Sequence, residues 1–219
     1  MAILQTATYT NGNVTWPPAA FKPLDDMPKL ATTVRKDKLS SFTDEIGRDA
    51  LVTQGRQSAF LTVSFVNDPK VAADYMARVW ELSDAIAKDL VDVVGLVWVT
   101  TFQALPHVLY SKDASANVMG FERFKEDLIN IFFVPTWILA TDTERVYARM
   151  KQFEADLVAS QKEMGIYNPW IYLNYAAPWQ KPIDGYGAAN VAFLKSVSKQ
   201  YDPKGVFQKA VPGGFKLGI

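Results

Sequence analysis

Cysteine is absent from the 219 residues, and histidine occurs once. Without cysteine there is no disulfide, no thiolate nucleophile and no cysteine-ligated metal, and a lone imidazole cannot build a histidine-cluster centre. No metal site is expected. An excess of one charge is lacking too, because 23 Lys and Arg balance 23 Asp and Glu. No net field therefore draws the chain to nucleic acid or to an anionic membrane surface. No apolar run approaches the ~20 residues that a membrane span requires. Residues 1–13 carry neither a basic n-region nor the apolar stretch of a secretory signal, so a cytoplasmic location is expected.

What is present suits a folded domain. The hydrophobic share of 49% and the charged share of 21% are ordinary for a soluble globular protein. The length allows a substantial core. Four prolines in VTWPPAAFKPLDDMPKL, residues 14–30, remove backbone donors and disfavour helix, so residues 1–57 read as an extended N-terminal segment with one short helix near Ser40 to Gly47.

Residues 58–175 read as an α+β core. SAFLTVSFV (58–66) alternates as a strand. Asp68-Pro69 then opens a helix whose apolar positions are Val71, Tyr75, Val79, Leu82, Ile86 and Leu90. Gly95 precedes a second strand, LVWVTTFQAL, stopped by Pro106. LINIFFVPTWIL is a third, with a bulge or edge position at Pro135. Thr141 and Glu144 form a capping box for a helix closed by Gly165. Pro169 to Tyr175 reads as a fourth strand. Residues 176–219 supply a last helix, Ala188 to Tyr201, and a tail on the same domain. This order predicts an antiparallel sheet from a doubled split-βαβ, ferredoxin-like pattern, with helices on one face. Alternation assigns Phe60, Thr62, Ser64, Trp98, Thr100, Phe102, Asn130, Phe132, Tyr172 and Asn174 to the other, uncovered face. Aromatics mixed with neutral hydrogen-bonding groups suit a ligand or an interface there.

The segment NPWIYLNYAAPWQKPIDGYGAANVAFLKSVSKQYDPKGVFQ, with PGGFKL after it, carries a Tyr-x-Asn-Tyr strand, a Gly-Tyr-Gly turn and a helix ending in Tyr-Asp-Pro-x-Gly-Val-Phe-Gln. It resembles the C-terminus of fungal berberine-bridge-enzyme-like FAD-linked oxidoreductases of the vanillyl-alcohol-oxidase superfamily. FKPLDDMP and GLVWVTTFQALP extend the resemblance over nearly the whole chain. It implies the substrate-binding half of such an oxidase, with no counterpart of the flavin-holding domain before Met1. It also implies that Tyr172 faces the active site and that Asn174 lies where the flavin would be.

The candidate catalytic residues are thus Tyr172, Asn174 and His107, the one imidazole able to shuttle protons near neutrality. Either Tyr172 and Asn174 act on substrate, or they satisfy polar contacts at an old interface, and His107 is either a proton shuttle or a surface residue. Thr62, Ser64, Trp98, Thr100, Phe102, Asn130 and Phe132 are candidate substrate contacts, with Trp137 a further stacking surface, although aromatics at strand spacing also build cores. Gly185-Tyr186-Gly187 reads as a turn, not a phosphate loop.

The expectation is a cofactor-free cyclase or isomerase, a pericyclase of the Diels-Alderase kind included, that folds a small, neutral, apolar polyketide- or terpenoid-like substrate. Orientation and one hydrogen bond can supply that catalysis. The alternatives are a non-enzymatic binding or auxiliary subunit, or a fragment of an FAD-linked oxidase that carries FAD. A homodimer or a protein partner is expected to cover the open face.

Overall fold

The computed structural model describes residues 13–50, 54–112 and 117–218. The stretch read for a leader lies outside them, apart from Asn13. The chain divides into two units, Met1–Gln54 and Gly55–Ile219. The first contains a short helix α1 (Lys22–Asp25) and α2 (Leu39–Ala50). There Arg35 binds Glu45, donates to the Ser41 carbonyl at 3.2 Å and lies 4.4 Å over the Phe42 ring.

The second unit holds the α+β core: β1 (Gln57–Ser58), β2 (Leu61–Val66), α3 (Ala72–Asp89), β3 (Val97–Leu105), α4 (His107–Tyr110), β4 (Leu128–Trp137), α5 (Thr143–Glu163), β5 (Tyr167–Asn168), α6 (Ala188–Tyr201) and α7 (Val206–Lys209). β4 is central. It pairs antiparallel with β3 on one side and with β1 and β2 on the other, and β5 adds to the far edge of β2. The sheet thus has the expected split-βαβ order, with α3 and α5 packed together on one face.

β1 and β2 keep one register along β4, since Ser58 opposes Thr136 and Leu61 opposes Phe133. No bulge marks Pro135, contrary to expectation, and its strand is central. Its carbonyl accepts from Ala59 N–H at 3.2 Å, but the ring leaves no N–H to return the bond, which separates β1 from β2.

Leu61, Val63, Phe65, Ile131, Phe133 and Trp137 point at the helices and are nearly sealed. They meet Tyr75, Val79 and Ile86 from α3 and Val146, Met150, Phe153 and Leu157 from α5, which recur on one stripe at helical spacing. Trp137, expected as a possible stacking surface, is in this core and donates to Thr143 Oγ1 at 3.3 Å. Tyr75 is also inside, and burial pushes its phenol up against a partial offset from the Gln161 amide.

Two boundaries differ from the sequence reading. Asp68 caps a turn, its carboxylate accepting from Lys70 N–H at 2.9 Å, and α3 begins only at Ala72. α5 starts after Asp142 with no side-chain cap, so the Thr141 capping box is not formed.

The fourth strand is the larger correction. β5 ends after two residues, and Leu173–Tyr175 is a 3-10 turn. Pro169 cannot donate to a ladder. The carboxamide of Gln180 takes over its role: Oε1 accepts from Thr62 N–H at 3.2 Å and from Ala177 N–H at 2.9 Å, and Nε2 donates to the Thr62 carbonyl at 2.8 Å and to Glu154 at 2.7 Å. A buried side chain with all its bonds made replaces backbone pairing at this edge.

Candidate functional site

The sheet face away from α3 and α5 is covered at one end and bare at the other. At the covered end a second cluster of Phe121, Leu128, Trp170 and Tyr186 packs with Val191 and Leu194 of α6. Close backbone contact makes this possible. Gly120, at φ +81°, lies against the Tyr186 carbonyl, where a Cβ has no room, and a Cβ on Gly185 would come 2.6 Å from the Pro169 carbonyl. Arg123 clasps the turn by donating to the Gly120 carbonyl at 3.2 Å and to the Gly185 carbonyl. Burial, with the Tyr172 phenol alongside, pushes the Tyr186 phenol up.

From this cluster a run of rings crosses to the bare end. Trp170 stacks on Tyr172 at 5.8 Å, Tyr172 meets Tyr175 edge-on at 4.8 Å, and Tyr175 lies 4.4 Å from Phe132 and stacks on Phe60 at 5.7 Å. Such offset and edge contacts hold rings in fixed orientation. Phe60 is 38% exposed, and Phe132, Tyr172 and Tyr175 are half-buried. Exposed Asn174 donates its Nδ2 to the Tyr172 phenol at 2.8 Å. An apolar wall with one amide and one phenol at its margin results. It can stack a planar ligand and hydrogen-bond a substituent on that ligand.

The predicted residues separate into groups. Tyr172, Asn174 and Phe132 come together on this wall. Thr62, Ser64 and Asn130 lie beneath it and are sealed, at 0%, 1% and 2% exposure. Asn130 Nδ2 donates to Thr62 Oγ1 at 2.8 Å and to Ser64 Oγ at 3.0 Å, and Thr62 Oγ1 donates on to the Ile131 carbonyl at 2.8 Å, while Asn130 Oδ1 is buried with no partner among the described residues. Trp98, Thr100 and Phe102 are on the opposite face: Trp98 packs 5.3 Å from Phe153 of α5, and Thr100 is 3.3 Å from Ser83 of α3. Their register, Thr100 across from Phe133 and Phe102 across from Ile131, requires it. Val97, Val99, Thr101 and Gln103 take the face assigned to them. His107 stands beyond Tyr110, Phe121 and Trp170, three rings from Tyr172, and its backbone N–H is bound by Asp127 at 2.7 Å. No sequence pattern marks Tyr110, Trp170 or Gln180 as part of this surface or its support. Tyr175 was within reach, because it closes the Tyr-x-Asn-Tyr motif.

Two cavities elsewhere are lined by Asp37 just before α2 with Ser41 and Arg48 of α2, and by Asp184, Val191 and Lys195 at α6. Among the described residues no group of three metal-ligating side chains assembles, and no helix is long and apolar enough to cross a membrane.

With this geometry in place, the relatives are informative. The chain is 35% identical over 211 residues to the FAD-dependent monooxygenase FUP4 of Fusarium proliferatum, covering 92% of this chain and 40% of that protein. It is 30% identical over 223 residues to the FAD-dependent monooxygenase sdcF of Emericella nidulans, covering 99% of this chain and 44% of that protein. The FAD-dependent monooxygenase elcE of Phaeosphaeria nodorum is 26% identical, with 95% and 60% covered. The chain therefore spans less than half the length of FUP4 and of sdcF. No family model and no solved structure matches.

These relatives correct the resemblance drawn from the C-terminal segment. They are named FAD-dependent monooxygenases, a different family from the berberine-bridge-enzyme-like oxidases. They also overturn the flavin-independent cyclase, because proteins similar over nearly all of this chain are named for FAD and for oxygenation.

A bound FAD needs backbone N–H groups or cations around its diphosphate. The glycine turn before α6 does not fit that demand. The one glycine pair that opens a long helix, Gly185 and Gly187 before α6, has Arg123 packed 3.0 Å from where a Cβ on Gly187 would sit, and its guanidinium is already committed to two carbonyls. On the first turn of that helix Asn190 binds the Glu122 carboxylate at 2.7 Å, leaving a negative charge where a phosphate would approach.

Proposed function

We propose that this chain forms the substrate-facing part of an FAD-dependent monooxygenase, and that the FAD diphosphate is held by residues other than those described. The observation that carries the reading is the fixed ring surface Phe60–Tyr175–Phe132, bordered by the Asn174 amide and the Tyr172 phenol. A planar, neutral aromatic substrate would stack on the rings, and Asn174 and Tyr172 would orient its oxygen substituent. Orienting one ring position toward an oxidant is worth several kcal/mol of barrier, which a stacking wall supplies without a charged anchor. The names of the relatives support the FAD dependence, and the neutrality of the wall supports the substrate class.

The test is equilibrium dialysis of the purified chain against a naphthol and, separately, against FAD. Saturable naphthol uptake, weakened about tenfold in Tyr175→Ala, is the expected result, with FAD not retained. Stoichiometric retention of FAD by this chain alone would overturn the division of labour, and naphthol uptake indifferent to Tyr175→Ala would overturn the wall.

A further inference from the structure

The two edges of the sheet are finished differently. At the β2 edge β5 runs opposite only Ser64 and Phe65, the Val66 N–H donates to the Ile166 carbonyl at 2.9 Å, Pro169 follows β5 at once, and Gln180 occupies both ladder groups of Thr62. The opposite edge is β3, which runs nine residues as VWVTTFQAL with no charge, proline or glycine. Sheets blunt their edges with such residues because an open ladder recruits another strand.

Bond parity shows which groups are open. Thr62 turns its N–H and C=O toward Gln180, so Leu61, Val63 and Phe65 turn theirs toward β4. The alternate residues of β4, Leu128 through Thr136, then serve β3, where they oppose Leu105, Gln103, Thr101, Val99 and Val97. The N–H and C=O groups of Trp98, Thr100, Phe102 and Ala104 point outward, and no backbone partner takes them among the described residues.

We propose that the β3 edge pairs antiparallel with the β3 of a second copy of this chain, about a two-fold axis at Thr101. A two-fold contact must be self-complementary. This register aligns all nine residues and sets Trp98 across from Ala104 and Phe102 across from Thr100, bulky against small each time. Those are also the residues with outward ladder groups, so both pairs exchange backbone hydrogen bonds. Val99 falls across from Gln103 and Val97 across from Leu105, and no charge meets a like charge. A register centred on Thr100 would instead crowd Trp98 against Phe102 twice and leave Leu105 unpaired. Val97 and Val99, each 43% exposed, with Phe102 at 38%, lose solvent contact in the pairing. None of this depends on the flavin reading.

The lack of native cysteine makes the test clean. Thr101→Cys introduces a single thiol at the axis, where facing Cβ atoms of an antiparallel pair are within disulfide reach. The expected results are a dimeric wild-type chain by light scattering, rapid oxidation of Thr101→Cys to a covalent dimer, and slow oxidation of a Thr43→Cys control on α2. Ala104→Pro removes one outward N–H without touching the β4 ladder, and it should give a folded monomer by circular dichroism and light scattering. A wild-type monomer from micromolar protein upward would overturn the proposal. So would equal oxidation rates for the two cysteine variants, which need no proline variant to fold.

Discussion

The two faces of the sheet use similar residues to opposite ends. Phe133 and Phe132 are neighbours on β4, yet Phe133 is sealed against Trp98 and Phe153, while Phe132 meets Tyr175 and Phe60 at a surface. On the helix face, rings interlock with aliphatic side chains from two long helices. On the other face, rings touch mainly one another above a sealed layer of Thr62, Ser64 and Asn130. The first arrangement maximises burial, and the second holds an aromatic surface still without covering it.

Breaking the helix face should have the largest effect. Phe133→Ala is expected to cost about 3–5 kcal/mol in denaturant unfolding with an unchanged slope. The matching Phe132→Ala should cost only about 1–2 kcal/mol, because that ring is only partly buried. Equal losses would erase the contrast between the faces.

The polar layer sharpens the comparison at intermediate size. Asn130→Ala removes the donor that satisfies Thr62 and Ser64, and a loss of about 1–3 kcal/mol is expected. Asn174→Ala, exposed at the margin of the wall, should stay within about 0.5 kcal/mol by the same measurement.

The smallest effect concerns pH. Burial, with Glu126 and Asp127 nearby, pushes the Tyr110 phenol from its ordinary value near 10 up to about 12. The folded chain keeps that proton where the unfolded chain releases it. The stabilisation is therefore complete below pH 10 and fades as pH rises through about 12. Thermal midpoints should fall less steeply with pH above 10 in Tyr110→Phe than in the wild type.

Much of the fold was legible because β2 puts Leu61, Val63 and Phe65 on one face and Thr62 and Ser64 on the other, and because α3 and α5 carry their apolar residues on one stripe at helical spacing. β3 was not, because Val97 and Val99 on one side and Trp98 and Phe102 on the other are all apolar. Periodicity alone cannot orient such a strand, and only its register with β4 does. The fourth strand was overestimated for a different reason. Tyr172 to Tyr175 has strand-like composition, but Pro169 blocks the ladder and a side chain eleven residues further on, Gln180, takes its place. Of the candidate wall, the Tyr-x-Asn-Tyr motif carries Tyr172 and Asn174. The ring run through Tyr175 to Phe60 depends on that unforeseen 3-10 turn.

The most direct measurement is naphthol affinity by equilibrium dialysis across three variants: Phe132→Ala and Tyr175→Ala on the wall, and Trp80→Ala at an exposed aromatic on α3. The account predicts roughly tenfold weaker binding for each wall variant, about 1.4 kcal/mol, and no change for Trp80→Ala. Binding that survives both wall substitutions, or that falls only with Trp80→Ala, would contradict it.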